Sequence, residues 1–255
     1  MIAEAEKSGI KLMIAYRLHF EHGNLQAVEW VNLGKIGEPK IFNSVFSQQV
    51  KAGNSRLKGE VGGGPIYDLG VYCINAARYL FKAEPEEVVA WNIGRDGQRF
   101  KDVPATTTAV LRFPGDRIAS LTCSFGAADR SAFEVVGSKG VVKMDPAYEM
   151  PGTLKAELIV SGRTRLRTFK KRDQFAPEIA YFSDCILKNR EPEPSGREGL
   201  ADVRIIEAIL QSAERNLPVT VKKTNIAARP NLAHEIARPA LKRAPRLVKA
   251  APPAA

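Results

Sequence analysis

Apolar positions along this chain follow two periods, and the change from one to the other divides it. Residues 1–9 read as a short helix closed by Gly9, and the apolar run 11–16 reads as a buried strand. Leu25, Val28, Val31 and Ile36 then recur at helical spacing until Gly34 and Gly37 interrupt them, with Asn24 placed to cap the start. A strand over 40–50 precedes a helix over 66–81, whose buried side carries Val71, Ile74, Ala77 and Leu80. Beyond it the period becomes two. The runs 88–93, 107–113, 118–124, 133–137, 141–144, 154–160 and 165–169 alternate, and the turn residues at 114–116, 138–140 and 161–162 separate several of them. Helices over 177–188 and 199–216 follow. The order predicts an α+β fold: a large, mostly antiparallel sheet with helices on one face, preceded by a helix and strand that form half of an α/β unit. Leu121, Cys123 and Phe125 are expected on the outer face, where they would make the open sheet a surface for homo-oligomer assembly.

Composition fits that picture. With 255 residues and 44% hydrophobic content the chain can bury a sizeable core. No apolar run is long enough to span a membrane and the N-terminus lacks the layout of a secretory signal, so the cytoplasm is the expected compartment. Cys73, Cys123 and Cys185 are odd in number and far apart, which suits reduced core thiols. His19 and His22 lie close together but lack an evident third ligand, so a structural or substrate-facing role is expected of them and no metal. The net charge of +10 is not spread over the fold. After Val221, eight basic residues against Glu235 place +7 of it in an Ala/Pro-rich segment that cannot bury enough apolar surface to order itself. Residues 224–255 are therefore expected to form a flexible basic tail, and nucleic acid is not an expected partner of the body.

The densest chemistry lies between the two periods. Gly62-Gly63-Gly64-Pro65 opens a helix that carries Asp68 and Tyr72 one turn apart. Three glycines let the backbone come close to a bound molecule, and proline suits a first helical turn because its missing N–H removes nothing there. A carboxylate at that place can accept hydrogen bonds from a polyol. A phenol one turn on can give or take a proton if its pKa is drawn down from about 10. The same residues also fit a tight loop followed by ordinary helix positions, and Tyr16-Arg17 fits an aromatic strand end followed by a surface charge.

Taken in order, Tyr16-Arg17, Leu33-Gly34-Lys35-Ile36-Gly37-Glu38-Pro39, and Gly62-Gly63-Gly64 with Asp68, Gly70 and Tyr72 resemble the second half of the glucose–fructose oxidoreductase / inositol dehydrogenase (Gfo/Idh/MocA) family. Residues 135–140, 199–209 and 217–219 extend the likeness to about 1–221. Tyr72 stands where much of the family has histidine, which points to the glucose–fructose branch. The resemblance implies an NAD(P)-dependent enzyme moving hydride between a sugar or polyol carbon and nicotinamide. It makes Tyr72 the acid/base on the substrate oxygen and Asp68 a ligand to substrate hydroxyls. Tyr16 and Arg17 would line the nicotinamide side, with Arg17 also near enough to the substrate to favour a phenolate at Tyr72. It divides the chain into 1–18, the last helix and strand of a dinucleotide-binding domain; 19–223, a substrate and oligomerisation domain; and the tail from 224.

A Rossmann fingerprint is missing. No Gly-x-Gly-x-x-Gly follows a strand, and the family's Glu-Lys-Pro motif with its catalytic lysine has no counterpart, since Glu6-Lys7-Ser8 lies within the first helix. The chain is thus expected to begin after the cofactor site and to be inactive alone. Either real sequence precedes it or another chain supplies the dinucleotide domain. The alternative is a non-catalytic sugar-binding or oligomeric scaffold left from that family.

Overall fold

The alternating runs assemble into one nine-stranded sheet in the order β8-β7-β6-β5-β1-β4-β3-β2-β9. The computed structural model describes residues 1–94, 97–150, 152–224, 226 and 229–239. β1 (Pro39–Ser47) is the pivot: it pairs in parallel with β4 (Arg117–Ser124) and antiparallel with β5 (Arg130–Gly137). On one side β3 (Thr106–Phe113), β2 (Glu87–Ile93) and the short β9 (Val219–Thr220) continue the sheet; on the other come β6 (Gly140–Met144), β7 (Leu154–Val160) and β8 (Arg163–Phe169). These further pairings are all antiparallel. Ser161 and Gly162 both have positive φ at the turn joining β7 to β8, the twist a two-residue hairpin needs.

Helices α2 (His22–Asn32), α3 (Val71–Phe81) and α5 (Gly196–Arg215) pack on one face of the sheet. Phe42, Leu111, Leu121, Val135 and Met144 from the sheet meet Val28, Ile74, Leu80, Ile205 and Ile209 from the helices in the main core. α1 (Ile2–Ser8) and α4 (Ala176–Leu187) lie outside that layer, and α1 ends at Gly9 in the left-handed region as its sequence predicts. The α+β architecture is as the two periods foretell.

Several local expectations change. Leu121, Cys123 and Phe125 are buried in the core rather than on the outer face. Alternation fixes which residues share a face but not which face meets the helices. The outer face instead carries Ile41, Trp91, Ile93 and Ile118 among Asn43, Thr108, Ser120 and Thr122. Residues 11–16 are extended but do not form a strand: Met13 alone bridges to Ser195, because no neighbouring strand among the described residues offers a ladder. α2 starts earlier than expected, capped by Glu21, whose carboxylate accepts from Gly23 N and Asn24 N at 2.8 Å each.

Residues 229–239, which composition places in a flexible tail, lie against the body. Glu84 accepts from Arg229, His234 pairs with Glu193 at 3.2 Å, and Glu235 meets His22 at 2.6 Å and Arg172 at 2.5 Å. The segment docks through charge, which a count of apolar residues does not register. Residues 240–255 lie outside the described residues.

Candidate active site

The glycine run ends at a π-turn over Ile66–Gly70, which leads directly into α3. The expected α-helix over 66–81 is therefore wider in its first turn, a form often found at functional sites. What the glycines admit closely is the preceding loop. A Cβ on Gly63 would stand 2.5 Å from the Arg56 carbonyl oxygen and 2.6 Å from that of Lys58. Gly63 N–H donates to Lys58 O at 3.0 Å and Gly64 N–H to Arg56 O at 2.9 Å. Their donors are thus spent on the protein itself.

Asp68 and Tyr72 line a cavity of about 240 Å³ with Tyr67, Val71, Asn75 and Tyr79 on one side and residues 15–19 on the other. The Tyr72 ring lies edge-on to Phe46 at 5.5 Å between centroids and is 5.9 Å from Tyr148. The Arg17 guanidinium carbon sits 5.0 Å above its centroid, within cation–π range. Arg17 is buried and held in place: Nη1 donates to the Gln174 side-chain oxygen and Nη2 to Tyr148 O at 2.6 Å, while Nε has no partner. It therefore presents positive charge to the ring face. Asp68 Oδ2 accepts from Arg56 Nε at 2.8 Å and more weakly from Gln48 Nε2 at 3.5 Å.

Tyr16 is turned to a different task. Its hydroxyl donates to Asp202 Oδ2 at 2.6 Å, and burial together with the Asp202 charge pushes the phenol far above its usual range. Its ring still lines the cavity. Asp202 belongs to a buried network that sequence reasoning did not find. Asn75 Nδ2 donates to Glu198 Oε1 at 3.1 Å and Asp202 Oδ2 at 3.0 Å, so its oxygen faces His19 Nε2 at 2.7 Å. His19 Nδ1 faces Glu193 Oε1 at 3.0 Å. Both ring nitrogens meet acceptors, which suits the imidazolium. Arg78, wholly buried, donates to Glu84, Glu198 and Asp202.

One further carboxyl, Glu178, is buried near Arg17 and His19 with Oε1 unpartnered; burial pushes it up to about 7 against the pull of those two charges. Among the described residues no three histidine, cysteine or acidic side chains are grouped to hold a metal. The three cysteines are free and buried, and no described helix is long and apolar enough to cross a membrane.

The structure thus brings Tyr16, Arg17, Asp68 and Tyr72 to one cavity. His19, for which a structural or substrate-facing role was expected, also lines the cavity; Asn75 and Arg56 were missed. A signal for Asn75 was present, since 72, 75 and 79 form a polar and aromatic stripe on a helix whose other residues, Arg78 apart, are apolar. Arg56 had none, because its importance lies in a contact across a loop.

A family model described as the GFO/IDH/MocA C-terminal domain matches residues 24–143. A D-xylose 1-dehydrogenase [NADP(+)] of Haloarcula marismortui is 31% identical over 221 residues, 84% of this chain and 61% of that relative. An aldose-aldose oxidoreductase from Caulobacter crescentus, solved with glycerol, superposes with a TM-score of 0.81 at 32% identity, covering 86% of this chain and 67% of the other. A 3-ketoreductase from Actinomadura kijaniata, solved with NADP and TDP-benzene, gives 0.75 at 26% identity, with 83% and 65% covered. The chain spans about three-fifths of the length of the first curated relatives it matches. Sequence motifs, sheet order and these likenesses agree that the chain belongs to the Gfo/Idh/MocA family.

Proposed function

We propose that this chain is the substrate-binding and catalytic half of an NAD(P)-dependent sugar or polyol oxidoreductase. The observation that carries the reading is the single cavity lined by both Tyr72 and Asp68, with Arg17 fixed over the Tyr72 ring. Relatives named as an NADP-dependent xylose dehydrogenase and an aldose-aldose oxidoreductase support the substrate class. Residues 1–18 are read as the end of a dinucleotide-binding domain, and the cytoplasm as the compartment.

The glycine run and the cavity beside it do not cradle a dinucleotide: the N–H groups of Gly63 and Gly64 are spent on loop carbonyls, and this cavity falls below the roughly 300–1,000 Å³ of a pocket enclosing a larger ligand. What this chain supplies is chemistry on the substrate oxygen. Asp68 accepts a hydrogen bond from a substrate hydroxyl. Tyr72 exchanges a proton with the oxygen of the reacting carbon, taking it as alcohol becomes carbonyl and returning it in reverse. Tyr16, its hydroxyl turned into Asp202, offers a neighbouring ring only its apolar face.

Titration of the chain with D-xylose and with glycerol, followed by amide chemical shifts, tests the reading. Shifts should concentrate at residues 66–75 and 16–19, and NADPH fluorescence should show no tight binding to this chain by itself. Sugar shifts confined elsewhere would remove the site, and stoichiometric NADPH binding would overturn the statement that these residues lack a dinucleotide cradle.

A homo-oligomer joined through the open sheet face is the accompanying proposal. Trp91 at 48% exposure and Ile93 at 60% are large apolar groups on a surface of short polar side chains. Sedimentation velocity should give a species larger than the monomer that Trp91→Glu disperses; a concentration-independent monomer would sink it.

A further inference from the structure

Arg56 does not line the cavity, yet the loop that carries it is built with unusual care. Asn54 caps the short turn Ser55–Leu57, its side chain accepting from Arg56 N at 3.0 Å, and Leu57 is buried beneath. The loop is then held at its carbonyls: Gly64 N–H takes Arg56 O and Gly63 N–H takes Lys58 O, with no room for a Cβ on Gly63. From that seat Arg56 Nε reaches Asp68 Oδ2. Gln48 takes the same oxygen, so both donors lie on one side of the carboxylate and Oδ1 has no protein donor among the described residues. The Arg56 and Asp68 side chains are 45% and 35% exposed, and an ion pair this open contributes little to stability. Its effect must be sought in orientation.

We propose that Arg56 is a positioning residue, which turns Asp68 so that its free oxygen meets a substrate hydroxyl, and that the glycine run serves to seat the Arg56 loop. The inference rests on the reading of Asp68 as a hydroxyl ligand. A bidentate grip on both carboxylate oxygens would have closed the acceptor to a substrate. Contact through Nε alone leaves it open, and the planar guanidinium fixes the carboxylate's rotation in a way a point charge does not.

Steady-state kinetics on the form of the protein that turns over aldose test this. Arg56→Gln should raise KM about 10-fold while kcat changes by less than about 2-fold, the pattern of lost substrate binding. Gly63→Ala, which keeps both charges but displaces the loop, should raise KM in the same direction. Arg56→Lys should recover part of the loss. Thermal midpoints of Arg56→Gln and Arg56→Lys should stay near that of the parent, which separates positioning from folding, whereas Gly63→Ala should lower it by the strain of its displaced loop. Combined with Asp68→Asn, Arg56→Gln should add nothing further, since both act through one carboxylate. An unchanged KM in Arg56→Gln beside a raised KM in Asp68→Asn would overturn this inference alone. An unchanged KM in Asp68→Asn would take the reading of Asp68 down with it.

Discussion

Tyr72→Phe is expected to lower sugar turnover by about 10²-fold or more in the form of the protein that carries out the reaction, with KM little changed. A loss of 10² corresponds to about 2.7 kcal/mol of barrier, a typical share for a single general acid/base. The variant isolates the chemistry because the phenol oxygen has no hydrogen-bond partner among the described residues, whereas the ring has several neighbours. Phenylalanine keeps the edge contact with Phe46, the approach to Tyr148 and the guanidinium above its face. Folding should therefore be nearly untouched, and only the group that holds or releases the proton is gone. A melting curve matching the parent together with unchanged kcat would return Tyr72 to an ordinary helix position. A loss confined to KM would make it a substrate contact rather than the acid/base.

The parts of this molecule legible in its sequence are those set by near neighbours. Strand alternation located β2 to β8 within a few residues, because each side chain's environment repeats every second position. The glycine stop of α1 was likewise readable from one residue. Contacts between distant segments were not. Leu121 and Cys123 keep the predicted phase but face the helices, a choice made by packing and not by the pattern. Asp68 and Tyr72 were legible as a pair since one helix brings them together. Arg56 reaches Asp68 across a folded loop, and Asn75 meets Glu198 from another helix altogether. The docking of 229–239 depends on carboxylates at 84 and 193 and on Arg172, none of which its own composition reveals.

Arg78→Met should be the most damaging change to stability. The Arg78 side chain is fully buried and answers three carboxylates: Glu84 through Nε at 2.6 Å, Glu198 at 2.7 Å and Asp202 at 2.6 Å through Nη1. Removing it leaves those charges facing one another with little water, and breaking a buried pair from one side costs about 3–5 kcal/mol. A surface pair such as Arg112–Glu86, with side chains 59% and 39% exposed, should cost at most about 1 kcal/mol when Arg112 is changed to the same residue. Urea midpoints of the two variants make the comparison, and equal losses would show that the network is not what holds α3 to α5. The same network should make stability depend on pH. Burial lowers the pKa of His19, but the Glu193 charge and the hydrogen bonds from Glu193 and Asn75 outweigh it, so the net direction is upward from about 6.5. A raised folded pKa means that His19's contribution is complete below its unfolded value and is lost as pH rises through the folded one. Glu193 is held down at about 2 because its His19 and His234 partners outweigh burial. Its contribution is present above about 4.5 and is lost as pH falls toward 2. The urea midpoint should thus decline on both sides of a mildly acidic plateau. His19→Gln should flatten the alkaline side and, because Glu193 loses the partner that lowers it most, weaken the acid side as well; an alkaline decline unchanged in that variant would mean that His19 is not a cation in the fold.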